Sequence, residues 1–159
     1  MGERPADRAA LPPDSGIVIR DATPGDAERL LPLLAALGYP TDTPTLHDRL
    51  RTMVDTDPSA RIIAADEDGT LIGFATLHET PVPHRPTAVG RITAIVVLPD
   101  ARGTGAGRML VEAAEAHFIA RGIARIEVTS GDNHAAAHSF YTHHGYANQG
   151  VRFSKPLAR

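Results

Sequence analysis

Hydrophobic and polar positions follow two different periods along the chain, and together these predict a mixed α/β fold. Apolar residues that recur every three or four positions indicate amphipathic helices, whereas short apolar runs bounded by Gly and Pro indicate strands. The predicted strands cover 17–20, 61–65, 70–78, 88–97, 124–129 and 146–154, and the predicted helices cover 23–37, a segment from Thr43, 109–118 and 133–144. The order is therefore β-α-α-β-β-β-α-β-α-β.

Connections between these elements predict a mixed central sheet. The turn at 66–69 joins two strands as an antiparallel hairpin. Strand 88–97 is followed by a helix and another strand, which is the pattern of a crossover between parallel neighbours. The proline-rich segment 80–86 is predicted to be a loop, because three prolines prevent regular pairing.

Composition predicts one soluble domain and excludes several functions. The 159 residues are 42% hydrophobic, carry a formal net charge of −3 and include no cysteine. Disulfides, thiolate catalysis and cysteine-bound metal are thereby excluded, and a cytoplasmic location is the default expectation. The slightly negative net charge predicts no nucleic-acid partner. No apolar run is long enough to span a membrane. Met1–Gly16 reads as a flexible tail before a domain at 17–159.

A basic, glycine-rich loop follows the longest predicted strand and opens the next helix. Glycine lets the backbone approach a diphosphate closely, and the free N–H groups at a helix start favour an anion. Arg102 and Arg108 add positive charge with forked donors. The simpler alternative is a glycine-rich turn that only caps the helix.

Spacing in this loop separates three phosphate-binding patterns. A P-loop is excluded because no Gly-Lys-Ser/Thr follows, and a dinucleotide fingerprint does not fit glycines at 103, 105 and 107. The third pattern, Arg/Gln-x-x-Gly-x-Gly/Ala, matches Arg102, Gly105 and Gly107. Downstream, the pattern Asn-x-x-Ala-x-x-Phe-Tyr-x-x-x-Gly-Phe/Tyr is matched by Ala137, Phe140, Tyr141, Gly145 and Tyr146. With both motifs, the chain resembles the GNAT superfamily of acyl-CoA-dependent N-acetyltransferases from Ile17 to its C-terminus.

This resemblance implies that acetyl-CoA is bound in a V between splayed central parallel strands. The glycine loop holds the pyrophosphate, the central strand pairs with the pantetheine arm, and Ile95 meets the acetyl group. The family's asparagine position falls on His134, with Asn133 one residue earlier. The implied cofactor-binding residues are Ile95, Val96, Val97, Arg102, Gly103, Thr104, Gly105, Ala106, Gly107, Arg108, Asn133, His134, Ala137 and Tyr141.

The implied catalytic residues include a general acid but no obvious base. Tyr141 matches the tyrosine that protonates the departing thiolate in this family, although a core tyrosine is the structural alternative. The strand position that often supplies a glutamate base is Thr93 here. His78, Glu79 and His84 are the remaining candidates, with His78 and Glu79 preferred, unless they are only solvated strand-end residues. Thr93 could instead orient a water molecule.

These features predict an N-acetyltransferase that moves the acetyl group of acetyl-CoA to a primary amine of a small molecule in a ternary complex. Two alternatives stay open: a CoA-binding module with weak or no catalysis, and an enzyme acting on protein N-termini or lysines. Acidic residues in segment 38–57 are suited to attracting a cationic amine. No metal is expected, since the eight histidines form no His-Glu-x-x-His pattern. Dimers are common in the GNAT family that the chain resembles, so a homodimer is one possible state, and the sequence does not decide the oligomeric state.

Overall fold

Five strands and four helices make up the described part of the chain. The computed structural model describes residues 16–129 and 135–158. The strands are β1 (Ile17–Asp21), β2 (Arg61–Glu67), β3 (Thr70–Thr80), β4 (Val89–Val97) and β5 (Ile126–Val128), and the helices are α1 (Ala27–Leu37), α2 (Thr43–Thr56), α3 (Ala106–Ala120) and α4 (Ala135–His143). The predicted α/β class and the order of these elements are confirmed.

The strands form one mixed sheet in the order β1-β2-β3-β4-β5. β1 to β4 pair with one another in antiparallel fashion, and their register places Arg20 opposite Ala64 and Ile63 opposite Ala75. β5 joins β4 in parallel, and the Gly90 N–H donates to the Arg125 carbonyl at 2.9 Å. Helix α3 is the crossover between these parallel strands, as the sequence predicts.

Helices cover both faces of the sheet. α1 and α2 pack on one face, where Leu30, Leu33 and Leu50 meet Phe74 in a buried cluster. α3 packs on the other face, and an added Cβ at Gly90 would lie only 2.7 Å from the Phe118 ring. The absence of a side chain at Gly90 therefore lets α3 approach the sheet. Alternate strand residues supply the two layers of core.

One extra residue interrupts the β3–β4 ladder. Leu77 pairs with Ile92 and Thr76 pairs with Ala94, so Thr93 is left over on β4. The Thr93 hydroxyl lies 2.7 Å from the Thr76 hydroxyl. This β-bulge changes which face each following residue of β4 meets.

The C-terminal part differs from the prediction in two ways. β5 is shorter than expected, and the strand predicted over 146–154 is wrong, because residues 147–158 form no regular element. The alternating apolar residues there, Val151 and Phe153, are 76% and 92% exposed. A strand in this segment would therefore not be stabilised by burial of these side chains. The chain divides into one compact unit ending at Glu127 and another beginning at Val128.

Two expectations about organisation are not tested. The predicted tail lies outside the described residues except for Gly16, and a single domain over 17–159 stays a prediction. None of the helices in the described ranges combines the length and apolar character that crossing a bilayer requires.

A buried carboxylate joins the first strand to the start of α1. Asp26 accepts two hydrogen bonds from the Arg20 guanidinium, at 2.9 and 3.0 Å, and one from the Thr23 N–H at 2.9 Å. Arg20 also donates to Asp66 near the end of β2 at 2.9 Å. The Arg20 hydrogen bonds lower the pKa of Asp26 to about 2.

Replacing Asp26 with Asn should therefore destabilise the fold at neutral pH by about 2 kcal/mol. The folded-state pKa lies below the ordinary value near 3.8, so the stabilisation is present above that value and is lost as pH falls towards 2. Denaturant titrations at several pH values would measure it. The exposed Asp48→Asn variant is the control, and a constant difference for Asp26→Asn down to pH 2 would contradict the assignment.

Candidate active site

The glycine loop between β4 and α3 has the backbone that an anion site requires. Gly103 and Gly105 have φ angles of +83° and +90°, which other residues rarely adopt. No atom beyond the adjacent chain lies within 4 Å of where a Cβ on Gly103 would sit. A short 3₁₀ turn at Pro99–Ala101 precedes the loop. The start of α3 is therefore open to a ligand on the Gly103 side.

The first turn of α3 begins at this opening. The N–H groups of a first helical turn have no acceptor within the helix, and the helix dipole adds partial positive charge. In this turn the Ala106 N–H lies 3.4 Å from the Thr104 hydroxyl oxygen. The Thr104 hydroxyl donates to the Ala101 carbonyl at 2.5 Å and shapes the turn, while Ala106 is buried. Arg102 is exposed, whereas Arg108 donates to Glu112 at 2.9 Å along the helix. Arg102 is thus the more available of the two cations.

β4 continues beyond the end of β5. Gly90, at the start of β4, bonds to Arg125 just before β5, and β5 is only three residues long. Within the described residues, no strand lies beside Ile95, Val96 and Val97 on the side opposite β3. All three are half-buried, and Val96 packs against the α1–α2 cluster. The predicted pantetheine partners therefore lie on β4 past the Gly90–Arg125 pairing.

A cavity of about 330 Å³ opens where α2 ends against β3 and β4. Its lining contains a carboxylate, an imidazole and two hydroxyls among apolar side chains: Met53, Thr56, Asp57, Ala60, Leu77, His78 and Thr93. The structure therefore brings together His78 and Thr93, which the sequence suggested separately. Clefts of this size and mixed character are typical of small-molecule sites.

Asp57 and His78 face each other in the cavity. The Asp57 Oδ2 atom lies 3.9 Å from His78 Nδ1, and the two side chains are 41% and 31% exposed. The other oxygen, Oδ1, accepts from the Ser59 N–H at 2.9 Å and from the Ser59 hydroxyl at 2.7 Å. These Ser59 bonds lower the pKa of Asp57, so its carboxylate is ionised near neutral pH.

Glu79 lies apart from this pair. It is the next residue along β3, so its side chain is on the opposite face of the sheet. It forms a bidentate ion pair with Arg121, just after α3. Nearby, Arg61 lies 2.8 Å from His117 Nδ1, and burial and the charges of Arg61 and Arg121 lower the pKa of His117. Glu79 is therefore engaged in a charged cluster on the α3 face. His84, the third candidate, is exposed in the loop before β4.

The second unit carries the downstream motif on α4. Tyr141 packs edge-on against Phe140 and Tyr146, with ring centroids 5.4 and 5.8 Å apart. Burial raises the pKa of Tyr141 to about 12, so the phenol keeps its proton throughout the physiological range. Ala137 is half-buried on the same helix. Asn133 and His134 lie outside the described residues.

Ser59 and the role of Asp57 were missed by the sequence reasoning. Asp57 was grouped only with the acidic residues of 38–57. The available signal was Asp57-Pro58-Ser59 after a helix, because Asp followed by Ser two residues later is a common side-chain turn. The Ser59 hydroxyl also accepts from the Glu79 N–H at 2.9 Å, which ties this turn to β3.

Metal binding is not indicated by the described geometry. Within residues 16–129 and 135–158, no group of three His, Cys, Asp or Glu side chains is arranged around a common point. The expectation of a metal-free site stays a prediction.

Comparisons with a family model and with curated proteins point to the same family. The model of the Acetyltransferase (GNAT) family matches residues 28–146. An aminoalkylphosphonate N-acetyltransferase of Salmonella typhimurium is 32% identical over 101 residues, covering 64% of this chain and 66% of that protein. A mycothiol acetyltransferase of Geodermatophilus obscurus is 30% identical over 103 residues, covering 65% of this chain and 33% of that protein.

A solved structure supports the same fold. A GNAT family acetyltransferase of Staphylococcus aureus superposes with a TM-score of 0.75 at 23% identity, covering 89% of this chain and 99% of the other. The matched stretch covers 66% of the Salmonella protein and 33% of the Geodermatophilus protein.

Proposed function

The chain belongs to the Acetyltransferase (GNAT) family, and from this we propose that it transfers the acetyl group of acetyl-CoA to a primary amine of a small molecule. The observation that carries the proposal is the glycine loop at the start of α3. Its two positive φ angles follow the end of β4 after a short 3₁₀ turn. An anion site at the end of a strand suits a cofactor with a diphosphate and a peptide-like arm.

The cofactor half of the site uses backbone more than side chains. N–H groups from Gly103 to Arg108 bind the pyrophosphate, with Arg102 as the charged partner. Val96 and Val97 pair with the amides of the pantetheine arm, and Ile95 contacts the acetyl group. Asn133, His134 and Ala137 belong to the proposed cofactor contacts by their motif. Backbone donors held by the fold are already oriented for the oxyanion that forms on the thioester carbonyl.

The acceptor nitrogen must lose two protons during the reaction. A primary ammonium first gives one proton to a base, and the free amine then attacks the thioester carbon. The C–N bond then forms and the C–S bond breaks. The nitrogen loses its second proton, and the departing thiolate gains one, so this step releases no net proton. The products are an amide, CoA thiol and one proton released to solvent. Direct attack in a ternary complex gives the advantage of proximity.

His78 is the better supported of the two preferred bases. It faces the cavity together with Thr93, which lies at the bulge of β4. Glu79 is instead paired with Arg121 on the other face of the sheet, so a cation already engages its carboxylate. A neutral imidazole can accept the proton near neutral pH.

Tyr141 is proposed as the donor to the departing sulfur. A pKa of about 12 exceeds the ordinary thiol value of about 8.5, so complete transfer to the thiolate would be uphill by roughly 5 kcal/mol. A hydrogen bond that strengthens as charge develops on sulfur avoids this cost. Tyr141 therefore acts by stabilising the leaving thiolate, and the net proton arrives from the amine through solvent.

Reversing the charge at Arg102 should weaken CoA binding. The Arg102→Glu variant replaces attraction with repulsion at the pyrophosphate, so we expect the Kd to rise by about tenfold or more. Calorimetric titration with CoA would measure this change. Arg51→Glu, on the exposed side of α2, is the control. Unchanged affinity in Arg102→Glu would refute the pyrophosphate assignment.

Removing the Tyr141 hydroxyl should lower turnover more than cofactor affinity. For Tyr141→Phe we expect kcat to fall by about a hundredfold, the usual scale for losing one donor to a developing charge. Release of CoA thiol gives kcat, and calorimetry gives the Kd for acetyl-CoA. Equal turnover in the wild type and in Tyr141→Phe would contradict a catalytic role of the Tyr141 phenol.

The two candidate bases can be separated by matched amide variants. His78→Gln should lower kcat by about a hundredfold at neutral pH, whereas Glu79→Gln should retain most turnover and mainly weaken the contact with Arg121. Thiol release from acetyl-CoA with a panel of primary amines would measure both. The opposite ranking would assign the base to Glu79. CoA binding without thiol release for every amine would favour the CoA-binding module.

A further inference from the structure

We propose that Asp57 and His78 jointly bind the ammonium group of the acceptor, and that the acceptor is a small alkylamine without an anionic group. This inference rests on the proposed acetyl transfer and names its substrate class. It assigns Asp57 as a specificity residue that contacts the amine, while His78 contacts the same nitrogen and takes its proton.

Asp57 is held rigidly with one oxygen available. Its Oδ1 atom accepts both the Ser59 N–H and the Ser59 hydroxyl. The same hydroxyl accepts the Glu79 N–H of β3, which fixes the turn to the sheet. The remaining oxygen, Oδ2, faces His78 across the cavity. A carboxylate positioned in this way binds a cation without first losing side-chain freedom.

The separation between the two groups suits a shared ammonium. A distance of 3.9 Å between Oδ2 and Nδ1 is too long for a direct hydrogen bond. A nitrogen placed about 2.9 Å from both atoms would see them at an angle of roughly 85°, which a primary ammonium can match with slightly bent hydrogen bonds. The gap is therefore the right width for one –NH₃⁺ group to bridge.

The lining of the cavity indicates the chemistry of the acceptor beyond its ammonium group. Met53, Ala60 and Leu77 supply apolar walls, and within the described chain no lysine or arginine is part of the lining. Arg91 lies opposite His78 on β4, but its guanidinium lies 3.9 Å from the Glu127 carboxylate on β5. The cavity volume of about 330 Å³ lies within the range of small-molecule sites.

These features distinguish the cavity from one built for a phosphonate. The Salmonella relative is an aminoalkylphosphonate N-acetyltransferase, and a phosphonate group requires cationic partners. The cavity of this chain presents a fixed anion instead. A phosphonate on the acceptor would be repelled by Asp57 and would gain no matching charge from the described lining.

Protons and charges balance at this pair. Because the Ser59 bonds lower the pKa of Asp57, it remains ionised while the amine reacts. The ammonium gives one proton to neutral His78, leaving a free amine whose lone pair attacks the acetyl carbon. Asp57 then faces an imidazolium and stabilises it until the proton passes to solvent. Asp57 itself neither gains nor loses a proton.

Steady-state kinetics with n-butylamine and acetyl-CoA test the role of Asp57. Asp57→Asn keeps an acceptor for Ser59 but removes the charge, so we expect the KM for butylamine to rise at least tenfold with a smaller change in kcat. Asp55→Asn, whose exposed side chain lies outside the cavity lining, is the matched control and should behave as wild type. An unchanged KM in Asp57→Asn would overturn the assignment.

Direct binding separates this inference from the proposed function. Imidazole NMR signals of His78, assigned with His78→Gln, should shift when butylamine is added to the free or CoA-saturated protein. The shift should persist in Asp55→Asn and disappear in Asp57→Asn. A protein that binds CoA but shows no shift would overturn the ammonium site alone, whereas a shift without CoA binding would overturn the proposed transfer alone.

A second acceptor tests the substrate class. We expect 3-aminopropylphosphonate, of similar length to butylamine, to have a kcat/KM at least tenfold lower in the wild type. The difference should narrow in Asp57→Asn, because the repelling charge is gone. A preference of the wild type for the phosphonate would overturn the class that we infer.

Discussion

The bulge at Thr93 is the constraint on which both halves of the site depend. It adds one residue to β4 opposite β3, and a one-residue shift reverses the faces of all later side chains. Ala94 and Val96 therefore pack toward α1 and α2, whereas Val97 faces α3 beside Gly73. Without the extra residue, these side chains would exchange faces and the two core layers would not close. The same bulge presents Thr93 to the cavity.

The sheet separates two charged systems that the sequence places side by side. His78 and Glu79 are neighbours in the chain, yet alternation sends them to opposite faces. On one face, His78 meets a carboxylate with a free oxygen. On the other, Glu79 is neutralised by Arg121 close to Arg61 and His117. Ser59 joins the two faces, since its hydroxyl bonds both Asp57 and the backbone of Glu79. Backbone pairing thus decides which acidic residue can meet a substrate.

Local signals in the sequence were sufficient for most of the fold. α2 begins at Thr43 as expected, with the Asp42 side chain accepting the Thr45 N–H, and Asp68-Gly69 lies in the tight turn between β2 and β3. The terminal strand was wrong because alternation of Val151 and Phe153 predicts a strand only when a partner buries one face. The cavity was not predictable in the same way. Asp57 and His78 are 21 positions apart, and only the register of β2 with β3 brings them together.

A histidine base is physically consistent with an open cavity. A glutamate needs strong desolvation before its pKa approaches neutrality, and desolvation requires a closed, apolar site. The side chains of Asp57 and His78 are 41% and 31% exposed, so the described surroundings do not supply that closure. An imidazole needs no such burial, because the reference pKa of histidine is about 6.5. With threonine on the bulge of β4 and histidine on β3, the site therefore avoids the cost of burying a charged base. The remaining requirement is a negative charge to hold the ammonium, and Asp57 supplies it from the turn after α2 without taking part in proton transfer.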